Sequence, residues 1–103
     1  CIMERKMFSG NRYMTKGIQT FLRPDLQILL WDLIDGLDVE KDYLQVFKLE
    51  MKEEDLKLTH QQENPDYSVS YTVKVGHPSI HQDEKIYVID DGDYSTMMFA
   101  SEY

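Results

Sequence analysis

Apolar and polar residues alternate most regularly between residues 67 and 75. One face of an extended chain there is apolar and the other polar: Tyr67, Val69, Tyr71, Val73 and Val75 against Ser68, Ser70, Thr72 and Lys74. This period of two is typical of a strand that is buried on one side and hydrated on the other. A strong turn cluster, Asn64-Pro65-Asp66, precedes the segment, so we predict a strand that begins at Tyr67.

A helical period governs the segment from Pro24 to Gly36. At about 100° per residue, one broad apolar stripe is formed by Leu26, Leu29, Leu30, Leu33, Ile34 and Leu37. Proline suits the first helical turn because its missing N–H has no partner there, and Asp25 lies near the positive end of the helix dipole. We predict an amphipathic helix that ends near Gly36, with this glycine in the left-handed conformation.

The other apolar runs predict strands at Tyr13–Leu22, with a bend at Gly17, and at Tyr43–Met51, Leu56–Gln62, Lys85–Ile89 and Tyr94–Phe99. Asp91-Gly92 separates the last two runs and favours a primed hairpin turn. A helix across one face of an antiparallel sheet buries the apolar faces of both elements. We therefore predict an α+β fold, with one main helix packed on a curved, mostly antiparallel sheet of about five to six strands.

The chain has 103 residues, which is enough for one hydrophobic core and one domain. Met3 and Met7 follow Cys1, so we expect residues 1–6 to be flexible upstream or added sequence and residues 7–103 to form the domain. Cys1 is the only cysteine, so an intrachain disulfide is excluded and a reducing cytoplasm is the expected location. The longest uncharged apolar run, Ile28–Trp31, is too short to span a bilayer.

The charge is unevenly distributed along the chain. The formal net charge is −8, made of +4 in residues 1–23 and −12 in the remainder. An acidic body repels phosphate, so we do not expect direct binding of nucleic acid. The simpler interpretation is that the acidity keeps a small protein in solution.

Four segments together resemble a small uncharacterised domain family of Firmicutes bacteria, first catalogued as a staphylococcal protein of unknown function. They are RYMTKGIQ, the proline-led helix with LLWDLID, DYLQVFKLE and KIYVIDDGDYSTMMFASEY. The resemblance covers about Met7 to Tyr103, and the closing hairpin is its most specific part. It implies an α+β roll similar to the cystatin and nuclear-transport-factor rolls, and it implies no catalytic or binding residues.

The sequence contains no convincing catalytic, metal or cofactor motif, so we expect no catalytic residues, no metal and no cofactor. Asp90, Asp91 and Asp93 lack the alternating spacing and closing glutamate of a calcium loop. His77 and His81 are four residues apart, but they lie in a predicted loop and no cysteine is available as a further ligand.

The leading functional hypothesis is a non-catalytic protein-interaction module with an unidentified protein partner. The candidate binding surface is Ile28 and Trp31, off the main helical stripe, beside Asp32 and Asp35. In the competing interpretation, the N-terminal strand or the C-terminal tail covers this face. Several strands are also apolar on both faces, so either long loops or a second copy of the chain would cover the second face, and the latter alternative predicts a homodimer.

The alternative function is a small-molecule-binding or enzymatic roll. Its ligand would lie in the cone between helix and sheet, lined by candidate residues Tyr43, Phe47, Tyr71 and Tyr87, with His60 or a buried carboxylate as the base. The simpler interpretation is a core rich in tyrosine, in which His60 is a hydrogen-bonded structural residue.

Overall fold

The computed structural model describes residue 8 and residues 10–52, 55–74 and 83–103. In chain order, the elements are β1 (Asn11–Met14), α1 (Lys16–Phe21), α2 (Pro24–Asp35), β2 (Leu44–Lys52), β3 (Asp55–Gln62), β4 (Tyr67–Lys74), β5 (Glu84–Asp90), β6 (Tyr94–Phe99) and a 3-10 turn, Ala100–Glu102. The predictions for residues 1–6, Val75, His77 and His81 lie outside the described residues.

The strands form one open sheet in the order β1-β6-β5-β2-β3-β4. All neighbouring pairs are antiparallel except β1 and β6, which are parallel. The helices pack on one side, which we call the inner face, and the opposite side is the outer face. The predicted α+β fold, with one main helix on a mostly antiparallel sheet, is confirmed, and a second, short helix accompanies the main one.

Alternate residues of β2, β3, β5 and β6 lie on the inner face and share one core with the helices. The buried apolar side chains are Phe8, Ile18, Leu22, Leu26, Leu30, Ile34, Phe47, Leu49, Leu56, Leu58, Ile86, Val88, Met97 and Phe99. Leu26, Leu30 and Ile34 have the spacing of one helical face, as the apolar stripe predicts. Within the described segments, no helix has both the length and the apolar character needed to cross a membrane.

The predicted strand Tyr13–Leu22 is correct only for Tyr13 and Met14 and is wrong from Thr15 onward. β1 ends at Met14, and Lys16–Phe21 forms α1. Thr15 caps this helix, because its Oγ1 accepts a hydrogen bond from the Ile18 backbone N–H at 3.3 Å. Ile18 is fully buried, so tertiary packing holds a helix that is too short to be stable by propensity alone.

The end of α2 differs from the prediction in its backbone conformation. The helix ends before Gly36 as expected, but Gly36 has φ −88°, so the prediction of a left-handed cap is wrong. Its backbone N–H donates to the Asp32 carbonyl at 2.9 Å and closes the last helical turn. Glycine is therefore not required at this position by a positive φ.

The final hairpin turn is shifted by one residue from the predicted Asp91-Gly92 pair. The Asp91 backbone N–H donates to the Tyr94 carbonyl at 2.9 Å, so the two central residues are Gly92 and Asp93. Gly92 has φ 114°, a positive value at the first central position, where a primed turn favours glycine. The turn carries the chain directly from β5 into β6.

Candidate functional site

The predicted helix surface is partly covered by β1. Trp31 is half-buried against the core, and the Arg12 guanidinium lies 4.7 Å from the centroid of its ring. The same guanidinium forms an ion pair with Asp35, which fixes it over the indole. Ile28 and Asp32 remain exposed. The N-terminal strand therefore covers Trp31, as the competing interpretation predicts, but it does not cover Ile28.

The contact between Arg12 and Trp31 gives a spectroscopic prediction. Arg12→Ala should shift the fluorescence emission of Trp31, the chain's only tryptophan, to longer wavelength, because the indole gains contact with water. The lost cation–π contact should also lower the free energy of unfolding by about 0.5–1 kcal/mol. Arg23→Ala is the control, since Arg23 pairs with Asp25 at 2.8 Å. Unchanged emission from the Arg12 variant would contradict the observed stacking.

The sheet separates the residues that were predicted to line a cone. Those on the inner face are Phe47, His60 and Tyr71. Tyr87 lies on the outer face, because its neighbours in β5 on either side are buried in the core. Tyr43 is 57% exposed and precedes β2. The predicted grouping of Tyr43 and Tyr87 with the other three residues is therefore wrong.

His60 is fully buried and hydrogen-bonded on the inner face of the sheet. Its ring stacks on Phe47 with a centroid distance of 4.4 Å and an interplanar angle of 18°. Its Nε2 lies 2.7 Å from Gln45 Oε1. Burial lowers the pKa of His60 to about 4, so the imidazole is neutral at physiological pH. Among the described residues, the side chains hydrogen-bonded in this network are His60, Gln45 and Gln62, and none of them is a carboxylate that would raise the pKa of the imidazole.

The glutamines next to His60 determine which of its nitrogens carries the proton. Gln62 Nε2 donates to the carbonyls of Glu40 and Pro65, at 2.8 and 2.9 Å, so its Oε1 must be the acceptor for Gln45 Nε2 at 2.7 Å. Gln45 then presents its own oxygen to His60, whose Nε2 is the donor. Nδ1 of this tautomer is a buried acceptor with no partner among the described residues.

The lowered pKa predicts how stability depends on pH. Unfolded histidine titrates near 6.5 and folded His60 near 4, so between these values the unfolded chain binds more protons. The contribution of His60 to stability is complete above pH 6.5 and is lost as the pH falls through about 4. A shift of this size corresponds to about 3 kcal/mol, and residual screening makes about 2 kcal/mol the better expectation.

Paired unfolding experiments isolate this effect from the many carboxylates. Between about pH 7.5 and about pH 4.5, the wild type should lose about 2 kcal/mol more of its free energy of unfolding than His60→Gln. Both proteins contain the same acidic residues, so their difference reports His60. Equal losses in urea unfolding would show that His60 is not held neutral by the fold.

The outer face carries an apolar strip that neither helix covers. It is formed by side chains of β2, β5 and β6: Leu44, Val46, Tyr87, Ile89 and Met98. The strip is partly buried by the neighbouring side chains and by Tyr103, whose ring packs edge-on against Tyr87 at 5.6 Å. The sequence already indicated strands that are apolar on both faces, and the structure assigns this second apolar set to the outer face.

A groove of about 420 Å³ lies over one part of this strip. Leu44, Val46 and Tyr87 contribute apolar lining from the strip, and Tyr67 adds to it at the start of β4. Lys48 and Lys85 border the groove on β2 and β5, and Glu63 and Asp66 border it at the β3–β4 turn. The groove thus combines an apolar surface with a basic end and an acidic end. This arrangement was missed from the sequence, because its charged residues come from three separate segments.

Lys48 and Lys85 lie directly opposite each other in the β2–β5 register. Like charges at such positions destabilise a sheet. The Lys85 ammonium lies 5.6 Å from the centroid of the Tyr87 ring, and neither lysine forms an ion pair with any residue that the structure describes. The described segments also contain no group of acidic, histidine or cysteine side chains able to hold a metal ion.

The fold and its surfaces define a small α+β domain with an open sheet and a charged, apolar-lined groove on the uncovered face. The chain belongs to the family described as staphylococcal protein of unknown function (DUF960), which matches residues 11–102. The resemblance noted from the four sequence segments is thereby confirmed. None of the curated proteins matches the chain.

A solved structure supports the fold. The crystal structure of the protein of unknown function from Enterococcus faecalis is similar to this chain, with a TM-score of 0.81 and 21% sequence identity. The similarity covers 99% of this chain and 98% of that chain. At this level of identity the likeness establishes a shared fold and carries no information about function.

Proposed function

We propose that this domain is a non-catalytic protein-interaction module that binds an extended, acidic segment of a partner protein in the outer-face groove. The observation that carries the proposal is the opposed pair Lys48 and Lys85 at one end of an apolar surface. A carboxylate placed between the two ammonium groups would relieve their repulsion. Apolar side chains of the same segment would then cover Val46 and Tyr87.

The charge of the whole protein supports selectivity at this groove. Residues 24–103 have a net charge of −12, so Lys48 and Lys85 are two basic residues on an acidic body, with Glu50, Asp83 and Glu84 close to them. A uniformly charged polyanion such as nucleic acid is repelled by the surrounding carboxylates. A short segment with one well-placed acidic group avoids most of this repulsion. A basic residue further along it would meet Glu63 and Asp66 at the opposite end.

The alternative of a ligand-binding or enzymatic cone has weaker support. Phe47 and His60 are fully buried and stacked on each other, so they offer no free surface to a ligand. The imidazole Nε2 is already committed to Gln45. Two of the other candidate lining residues, Tyr43 and Tyr87, lie outside the space between helix and sheet.

Peptide display tests the proposal while the natural partner is still unidentified. The full chain is used to select binders from a random peptide library. We expect enrichment of peptides in which an acidic residue is flanked by apolar ones. Their affinity should fall at least tenfold for the double variant Lys48→Glu/Lys85→Glu, because two attractive contacts become repulsive.

A matched double variant controls for the change in net charge. Lys16→Glu/Lys41→Glu alters the charge by the same amount at positions outside the groove, so it should retain binding to within about twofold. The proposal is wrong if no peptide class is enriched, or if both double variants weaken binding equally. It is also wrong if the selected peptides lack acidic residues.

A further inference from the structure

β4 is an edge strand with features that favour pairing with another strand. It spans Tyr67–Lys74 and pairs with β3 on one side, and no strand of the described segments pairs with its other side. Edge strands are normally protected by proline, charge, bulges or short length. β4 has eight residues, contains no proline and carries no charged residue before Lys74. The backbone groups on that side, which no strand of the described segments uses, are therefore suitable for another extended chain.

The sequence of β4 is complementary to itself in one antiparallel register. With Ser70 opposite Ser70 of a second copy, the pairs on either side within β4 are Tyr71 with Val69, Thr72 with Ser68 and Val73 with Tyr67. Lys74 at the end of β4 then lies opposite Asp66, the turn residue that precedes the strand. Aromatic residues then meet β-branched ones on the inner face, and hydroxyls meet hydroxyls on the outer face. Such pairs are among those that stabilise sheets.

The charged ends select this register over its neighbours. A shift that centres the pairing on Val69 places Asp66 opposite Thr72, and a shift that centres it on Tyr71 places Lys74 opposite Ser68. A one-residue slip is worse, because it places apolar side chains of one copy beside polar ones of the other. Only the register centred on Ser70 matches both charges, once at each end.

We infer that two copies of this chain associate through β4, antiparallel and centred on Ser70. The two-fold axis passes through the Ser70 pair, which makes the contact isologous and closed. Both six-stranded sheets then join into one, with the inner faces on the same side. Two paired edge strands bury little area compared with obligate dimers, so the association is weak and depends on concentration. This inference does not depend on the groove.

Charge exchange provides the test. Sedimentation velocity over a range of concentrations should show a reversible dimer for the wild type. Asp66→Lys places lysine opposite Lys74 of the second copy, and Lys74→Asp places aspartate opposite Asp66. Each single variant should raise the dissociation constant about tenfold or more, since both ends change from attraction to repulsion.

The double variant and a mixture of the two single variants distinguish repulsion between the two copies from destabilisation of each copy by itself. Asp66→Lys/Lys74→Asp restores opposite charges at both ends, and so does an equal mixture of the two single variants. Position 66 lies just before β4 and position 74 at its end, roughly 25 Å apart, so they cannot rescue each other within a chain. Lys74→Asp also places an aspartate opposite Asp55 of β3 in the same chain. The double variant keeps this repulsion, so a recovery of the dimer cannot come from its removal.

We expect both combinations to return the dissociation constant to within about threefold of the wild type. Near-native amide NMR spectra of each variant confirm that the fold is retained. A strict monomer at every concentration overturns the inference. Single variants that leave the dimer unchanged also overturn it, as do variants that weaken it without recovery in the double variant or the mixture.

Discussion

Gln62→Leu is expected to lower the free energy of unfolding by roughly 3–5 kcal/mol, which is a large effect for a single polar substitution. Gln62 is buried, and its amide group makes four hydrogen bonds. The nitrogen donates to the Glu40 and Pro65 carbonyls, and the oxygen accepts from the Asp42 N–H and from Gln45 Nε2. Leucine fills a similar volume, but it leaves the two carbonyls without their donor and the Asp42 N–H and Gln45 Nε2 without their acceptor.

The adjacent residue supplies a control for Gln62→Leu. Gln61 is the preceding residue of the same strand, β3, but its side chain lies on the outer face. The side-chain hydrogen bond described for it there is a donation to Ser68 Oγ at 3.4 Å. Gln61→Leu should change stability by no more than about 0.5 kcal/mol. Guanidinium unfolding at neutral pH measures both. If the free energy of unfolding falls equally in the two variants, the buried hydrogen bonds of Gln62 do not stabilise the fold as we predict.

Leu30→Ala is expected to destabilise the protein by about 2–5 kcal/mol. Leu30 is fully buried at the centre of the apolar stripe of α2, between that helix and the inner face of the sheet. Truncation removes its apolar contacts and leaves a cavity that the close-packed surroundings fill only in part. Loss of this residue should therefore weaken the contact between the main helix and the sheet.

Ile28→Ala is the matched control on the same helix. Ile28 is 61% exposed, so its truncation should cost no more than about 0.5 kcal/mol beyond the small difference in helix propensity. Thermal unfolding of the two variants compares the two faces directly. A loss for Ile28→Ala as large as for Leu30→Ala would place the core on the wrong side of α2.

Elements with a clear hydrophobic period could be predicted from the sequence. The predicted strand Tyr94–Phe99 has the observed bounds, and the predicted helix from Pro24 ends at the observed place. The segment Lys16–Phe21 could not be predicted, because its helical form depends on distant contacts. Thr15 Oγ1 donates to Glu102 Oε1 at 2.7 Å, a contact between opposite ends of the chain.

The candidate site was harder to predict than the fold. In β5, Ile86 and Val88 form one apolar set, and Tyr87 and Ile89 form another, so alternation alone does not reveal which set faces the helix. Lys48 and Lys85 become neighbours only through the β2–β5 register. Such a register depends on the order of strands in the sheet, which a single sequence does not supply.

The binding surface predicted around Ile28 and Trp31 can be tested with the same binding experiments as the groove. Arg12 already occupies one side of the Trp31 ring, which reduces the indole surface available to a partner. Ile28 and Asp32 are exposed beside it. A partner that uses this surface would be insensitive to the double variant Lys48→Glu/Lys85→Glu and sensitive to Ile28→Ser.

Binding to the outer face is tested most directly by amide NMR of the full chain during titration with a selected acidic peptide. We expect the largest shift changes at Val46, Lys48, Lys85 and Tyr87, which lie together on β2 and β5. Changes confined to α2, around Ile28 and Trp31, would contradict the proposed site and locate recognition on the helix instead.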